Sequence, residues 1–351
     1  MNDRYPTAAT QSRGDFRSDN VARVEPSIMA ALLAANTGTQ PPYGADEYST
    51  LLDARFSALF EAPCRVFPVA TGTAANALAL AACLRSYGGV FCHEGAHIRL
   101  SEGGAVTAFS AGGSLLPLKG EGGMFDAREL AAGFDAAGIG NTQRAQPDAV
   151  SVTQVTERGR VYAPAAIAGI GAFAREKGLH FHMDGARFAN ALARLGCGPA
   201  EITTKLGVDI LSFGATKNGA MSADAIVVFK PELVEPLRFL LRRAGQTWSK
   251  MRFAAAQLLA YVEDGLWLKL AAQANANATG LSQGLAAIPG VELLEQVDAN
   301  IVFARLPPVT IDRMIERNFH FYRRAPDTIR LVCRYDAPVE AIDGLLEAAR
   351  G

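Results

Sequence analysis

Three short segments carry residue types that can work together on a carbonyl and a phosphate. Ser212-Phe213-Gly214-Ala215-Thr216-Lys217-Asn218-Gly219 sets a single lysine behind an apolar run, small residues and a hydroxyl. A lysine at a strand end, beside apolar surface, loses its proton more readily than a free one and can attack a carbonyl to form an imine. Taken alone, a solvated turn lysine is the commoner case. His182-Met183-Asp184-Gly185-Ala186-Arg187 puts an aspartate behind the apolar run Leu179 to Met183. A carboxylate projecting from a sheet's carboxyl edge can keep a pyridine nitrogen protonated, and Arg187 can reach a phenolate oxygen or a carboxylate. By itself Asp184 reads equally well as a helix N-cap. Thr71-Gly72-Thr73-Ala74-Ala75-Asn76 follows another apolar run, Arg65 to Ala70. Glycine permits close backbone approach, free amides at a helix start suit a phosphate, and Thr73 adds a hydroxyl. A plain tight turn is the alternative.

Together the segments supply a phosphate cup, a pyridine-nitrogen partner and an imine lysine, in that chain order. That set matches pyridoxal 5'-phosphate, and few other chemistries need it. Two further patterns carry less. Gly169-Ile170-Gly171-Ala172-Phe173-Ala174 fits a loose dinucleotide pattern but lies inside a helical stretch opened by Pro164, not in a strand-to-helix turn. His180-Phe181-His182 has metal-like alternation, but no further ligand cluster supports it, and no metal is expected.

These residues must be positioned by a scaffold. Short β-rich runs at 65–70, 90–93, 149–154, 179–183, 208–213 and 225–229 alternate with helical patterns at 74–85 and 165–177. This predicts an α/β fold with a mostly parallel central sheet, whose ligand lies beyond the carboxyl ends of the strands. Residues 242–270 read as one long connecting helix. Residues 1–45 read as an N-terminal arm, with 1 to about 15 disordered or draped on a partner. Residues 46–273 read as the large cofactor-binding domain, and 274–351 as a small α+β domain.

Composition agrees. The chain has 351 residues, 49% hydrophobic and 20% charged, with a formal net charge of -1. Such a balance fits a globular enzyme and gives no footprint for nucleic acid. The five cysteines form no Cys-x-x-Cys pair, and the polar start of the chain has no apolar signal-peptide core. No run is long enough to span a membrane. A cytoplasmic protein is expected.

Asp184-Gly185-Ala186-Arg187-Phe188, Phe213-Gly214-Ala215-Thr216-Lys217-Asn218-Gly219 and Gly72-Thr73-Ala74-Ala75-Asn76 closely resemble the low-specificity L-threonine aldolases, and more narrowly a branch that includes phenylserine aldolase. The likeness runs from about Phe16 to the C-terminus. It implies the aspartate-aminotransferase fold (pyridoxal-phosphate fold type I), in a homodimer or homotetramer with shared active sites. It implies cleavage of L-threonine, L-allo-threonine or phenylserine to glycine and an aldehyde; β-elimination from an amino acid is the rival. By resemblance, Lys217 is the Schiff-base lysine, Asp184 pairs with the pyridine nitrogen, and Gly72 and Thr73 hold the phosphate, beside Thr216. His97 stacks on the ring and moves protons. Arg187 and Arg330 grip the substrate carboxylate with Ser18. Tyr43 lines the neighbouring subunit's site, and Arg252 reaches the partner's phosphate. Glu157 stands where better-studied members place a histidine near the β-hydroxyl.

Overall fold

The computed structural model describes residues 14–351. The segment expected to form a free or draped arm therefore lies outside the described residues, apart from its last two. Those two, Gly14–Asp15, are strand β1, which pairs in parallel with Phe319–His320. Phe16 follows and is buried in the core of the C-terminal region.

Helix α1 (Pro26–Ala35) starts on Pro26, with Glu25 accepting from Ser27 N and Ile28 N; α2 (Glu47–Leu59) is capped by Asp46. Then come β2 (Arg65–Val69), α3 (Gly72–Cys83), β3 (Gly88–His93), the short α4 (His97–Leu100) and α5 (Ala105–Phe109), and β4 (Ser114–Leu118). Next are α6 (Ala127–Ala136), β5 (Gln146–Thr153), α7 (Pro164–Lys177), β6 (His180–Gly185), α8 (Phe188–Leu195), β7 (Ile210–Phe213) and β8 (Asp224–Val228). Gly178 ends α7 at φ 67, as a glycine C-cap does.

The strands form a seven-stranded sheet in the order β2-β8-β7-β6-β5-β3-β4. Pairings from β7 through to β4 are parallel; β8 runs antiparallel to both β2 and β7. Buried on both faces, β7 and, after Asp224, β8 are continuous apolar or small-residue runs rather than alternating ones. Behind β7 an aromatic cluster of Phe56, Phe60, Phe188, Phe213, Tyr261 and Trp267 fills the core.

The expected single helix over 242–270 is broken. Helix α9 (Val234–Arg243) ends in a loop, α10 (Arg252–Val262) follows, and a turn at Glu263–Gly265 leads into α11 (Leu266–Ala286). Gly245 and Gly265 sit at φ 69 and 68, where glycine carries no steric cost. The apolar spacing stays close to helical across both breaks, so periodicity alone does not show them.

Beyond α11 lie β9 (Glu292–Leu293), β10 (Ile301–Arg305), α12 (Pro308–Glu316), β11 (Phe319–His320), β12 (Tyr322–Ala325), β13 (Thr328–Val332) and α13 (Val339–Arg350). Strands β12-β13-β10-β9 make an antiparallel sheet. Strand β12 is exposed throughout and lacks the apolar alternation by which a strand is read. Among the described residues no helix is long and apolar enough to cross a membrane.

Candidate active site

A cavity of about 380 Å³ opens where β5, β6 and β7 end, and it is lined in part by Lys217, Asp184, His97, Glu157 and the start of α3. Its size is that of a small-molecule site.

Lys217 lies in a single helical turn, Thr216–Asn218, just past β7. The turn is pinned from below: Asn218 Nδ2 donates to Tyr261 OH and to Trp267 O, both at 2.8 Å. From the other side, buried Asp224 accepts from Ala215 N at 2.9 Å and Thr216 N at 3.1 Å. Burial, then the Arg187 charge, push the Lys217 amine below the usual lysine value. Among the described residues no hydrogen bond or ion pair holds its Nζ. Such an amine is available as a nucleophile.

Asp184 is in β6, in register with Ser212 of β7. It does not cap α8, whose N-cap position is Arg187. Its Oδ1 accepts from Ala186 N at 3.0 Å and its Oδ2 from Asn76 Nδ2 at 2.9 Å. Two residues back, the His182 ring sits between Ser151 Oγ and Ser212 Oγ. Burial lowers its pKa to about 4, so the ring is neutral packing under Asp184. That environment explains the strand histidine without a metal.

Helix α3 opens towards the cavity. Thr71 caps it by accepting from Ala74 N, and Gly72 and Thr73 line the wall. A side chain on Gly72 would point towards Asp224 Oδ2, 3.8 Å away, so the cup stays open. Burial holds the Asp224 carboxyl above the usual carboxylate range.

On the facing wall, His97 begins α4. Its backbone N donates to Glu157 Oε1 at 2.6 Å, and its Nδ1 bonds Glu102 Oε1 at 2.8 Å. The Glu102 bond raises the His97 pKa against the pull of burial. Burial, then the Asp184 charge, raise the Glu157 pKa, and Glu157 Oε2 is buried without a partner among the described residues.

Arg187 is forked onto Asp19. Burial works to raise the Asp19 pKa, but the charges of Arg187 and Lys217 outweigh it and the net shift is down. Arg330, on β13, is half-buried; burial and then the Arg187 charge push its pKa down to about 10.

The structure thus brings Gly72, Thr73, His97, Asp184, Arg187, Thr216 and Lys217 to one cavity. Four other expected residues do not line it within one chain. Ser18 accepts from Asn20 N, capping the turn Asp19–Val21, and leaves the cavity wall to Asn20. Tyr43 is exposed in a second cleft, under the Arg242 guanidinium. Arg252 starts α10 with Nε buried and unpartnered among the described residues. Arg330, on β13, lies outside the cavity lining. Sequence reasoning missed Asp19, Asn76, Glu102 and Asp224 as site groups. Asp19 had one available signal, its place beside Ser18.

The beta-eliminating lyase family model matches residues 15–307. The chain is also 41% identical over 331 residues to the low specificity L-threonine aldolase of Pseudomonas sp. (strain NCIMB 10558), spanning 93% of this chain and 94% of that one. It belongs to the beta-eliminating lyase family, among the low-specificity L-threonine aldolases. Another such aldolase, from Pseudomonas aeruginosa, is 40% identical over 345 residues, 97% of this chain and 98% of that one. In fold, this aldolase family member superposes on a threonine aldolase from Leishmania major with a TM-score of 0.90, at 24% identity, covering 96% of this chain and 98% of the other. An aspartate aminotransferase from Rhodobacter sphaeroides matches at a TM-score of 0.71 and 17% identity, covering 99% and 92%. The fold is that of the aspartate aminotransferases.

Proposed function

We propose that this chain cleaves L-threonine and related β-hydroxy-α-amino acids to glycine and an aldehyde at the Lys217 cavity, using pyridoxal 5'-phosphate. The observation that carries the reading is a half-buried lysine amine with no hydrogen-bond partner among the described residues, in one cavity with Asp184 and the start of α3. A lysine amine partly withdrawn from water and left without a partner costs stability unless it has a use.

The donor set fits the cofactor. Amides at the start of α3, with the open space beside Gly72, suit a phosphate. Asp184, anchored at both oxygens, suits a pyridine nitrogen, and Lys217 suits the aldehyde. When bound, pyridoxal phosphate supplies a conjugated ring that takes up the electron pair left at Cα.

The chain's own residues do the rest. Lys217 would hold the cofactor through its aldehyde carbon and would be released when the substrate amine takes its place. Asp184 holds a proton at the ring nitrogen. Arg187, fixed by Asp19, and Arg330 hold the substrate carboxylate, which orients the Cα–Cβ bond. The β-hydroxyl proton passes to the wall formed by His97 and Glu157, where the His97 backbone N–H holds Glu157 Oε1 at 2.6 Å. As that O–H bond breaks, the carbonyl forms and the Cα–Cβ electrons move to Cα; a proton returned there completes glycine.

Tyr43 and Arg252 serve the cavity of a second copy in this reading, which makes the enzyme a homodimer or homotetramer. Their positions away from their own chain's cavity support it. The even charge balance and unpaired cysteines support a cytoplasmic setting.

The test is an absorbance spectrum of the loaded protein and product analysis with L-threonine, L-allo-threonine and phenylserine. Glycine and aldehyde in equal amounts are expected. An α-keto acid with ammonia would instead make the chain an eliminating lyase.

A further inference from the structure

One amide joins the two carboxylates behind the cavity wall. Asn76, in the second turn of α3, donates from Nδ2 to Asp184 Oδ2 and to Glu102 Oε1, each at 2.9 Å. The same Glu102 oxygen bonds His97 Nδ1 at 2.8 Å. Asn76, Glu102 and Asp184 are buried, and the Glu102 side chain has no exposed surface.

Chemistry decides how the Asn76 amide is turned. Reversed, its oxygen would face two carboxylates and lose both bonds. Both of its N–H groups are thus committed, one to each acid. Glu102 Oε1 needs a hydrogen from His97 Nδ1, so the neutral ring carries its proton there and Nε2 is left to exchange one. Asn76 Oδ1 and Glu102 Oε2 are buried without partners among the described residues. A carboxylate so enclosed needs its few donors in place.

We propose that Asn76 and Glu102 are positioning residues that tie His97 to Asp184, Glu102 setting the tautomer and tilt of the His97 ring and Asn76 holding Glu102 against Asp184. What His97 and Asp184 then do rests on the proposed function; the tether itself does not. Four charged groups face His97 from different elements: Glu102 beyond α4, Asp184 on β6, Glu157 after β5 and Lys217 after β7. Among the described residues only Glu102 bonds its ring, so Glu102 is the group whose loss the ring should sense most.

Histidine-selective 15N NMR of the cofactor-free protein tests this, with five histidines to assign. In the unaltered protein His97 should titrate above an ordinary histidine and carry Nδ1–H when neutral. Glu102→Gln should lower its midpoint by about one pH unit. Asn76→Leu should lower it less, and added to Glu102→Gln should change nothing more, because its effect passes through Glu102. Fluorescence titration should show pyridoxal phosphate binding about tenfold weaker in Asn76→Leu, which leaves Asp184 Oδ2 without its donor. An unmoved His97 midpoint in Glu102→Gln, with native circular dichroism and melting, overturns the tether. That variant decides alone if Asn76→Leu fails to fold. Failure of the unaltered protein to bind pyridoxal phosphate would overturn the functional reading and leave the NMR result standing.

Discussion

Arg187 is clamped by Asp19 at two points, Nε to Oδ2 at 2.6 Å and Nη2 to Oδ1 at 3.1 Å, with both side chains almost out of solvent. A two-point pair fixes the plane of the guanidinium, and Asn300 Nδ2, 3.1 Å from Asp19 Oδ2, steadies the clamp. Removing the acid outright strands a buried cation, a loss of about 3–5 kcal/mol. Asp19→Asn keeps the volume and one acceptor, so it should fold while letting Arg187 swing. With cofactor saturating, KM for L-threonine should rise about tenfold and kcat should fall less, since one charge-assisted contact is loosened rather than lost. Unchanged steady-state constants would mean that Arg187 does not hold the substrate.

Glu157 couples stability to pH. Burial and the Asp184 charge raise its folded pKa above the usual carboxyl value. A raised acid contributes stability that is fully present below the unfolded value and is lost as pH rises through the folded one. Glu157→Gln escapes that loss. Cofactor-free Glu157→Gln should melt with the unaltered protein near pH 4 and about 2 °C above it at neutral pH. Its turnover should fall about a hundredfold, because Gln cannot carry the β-hydroxyl proton. A variant that is less stable at every pH would show that Glu157 is held as a paired structural carboxylate.

How much of this was legible in the sequence depended on distance along the chain. The strand ends that place Asp184 and Lys217 are local events, an apolar run followed by small residues, and they read directly. Proline and glycine punctuation around α7 did the same for its ends. The partners of those residues did not read. Asp19 lies 168 residues from Arg187, and Asn76 lies 108 from Asp184 and 26 from Glu102. No periodicity records a side-chain bond across such spans; only the folded sheet edge brings them together. Asp224 was hidden differently, as the first residue of the apolar strand β8, where it reads as a strand boundary.

Asp184→Asn separates charge from shape. The amide keeps the size of the carboxylate and an oxygen for Ala186 N, so the cofactor should still bind. It cannot hold a proton at the pyridine nitrogen, and the electron pair released at Cα then has a poorer destination. Glycine release from L-threonine should drop about 10²–10³-fold, the size of effect seen when one preorganised electrostatic partner is lost. Near-normal turnover would put the electron sink elsewhere.

Arg252 and Lys217 allow a test of whether the sites are shared. Lys217→Ala should lose covalent capture of pyridoxal phosphate by borohydride and all turnover. Arg252→Ala should lose affinity for the cofactor, and at low cofactor it too should be nearly inactive. Co-expressed, the two chains form hybrids. If Arg252 serves the partner's cavity, each hybrid contains one intact site, with Lys217 from one chain and Arg252 from the other. Random pairing into dimers then restores roughly a quarter of full activity. If Arg252 serves its own chain, every site in the hybrid lacks one of the two residues and nothing is restored. Arg252, which lies away from its own chain's cavity and whose guanidinium has no acceptor among the described residues, favours the first outcome, because such a cation is poised for an acceptor on a second copy. Glycine release measured at fixed, subsaturating pyridoxal phosphate on the co-expressed mixture distinguishes the two directly.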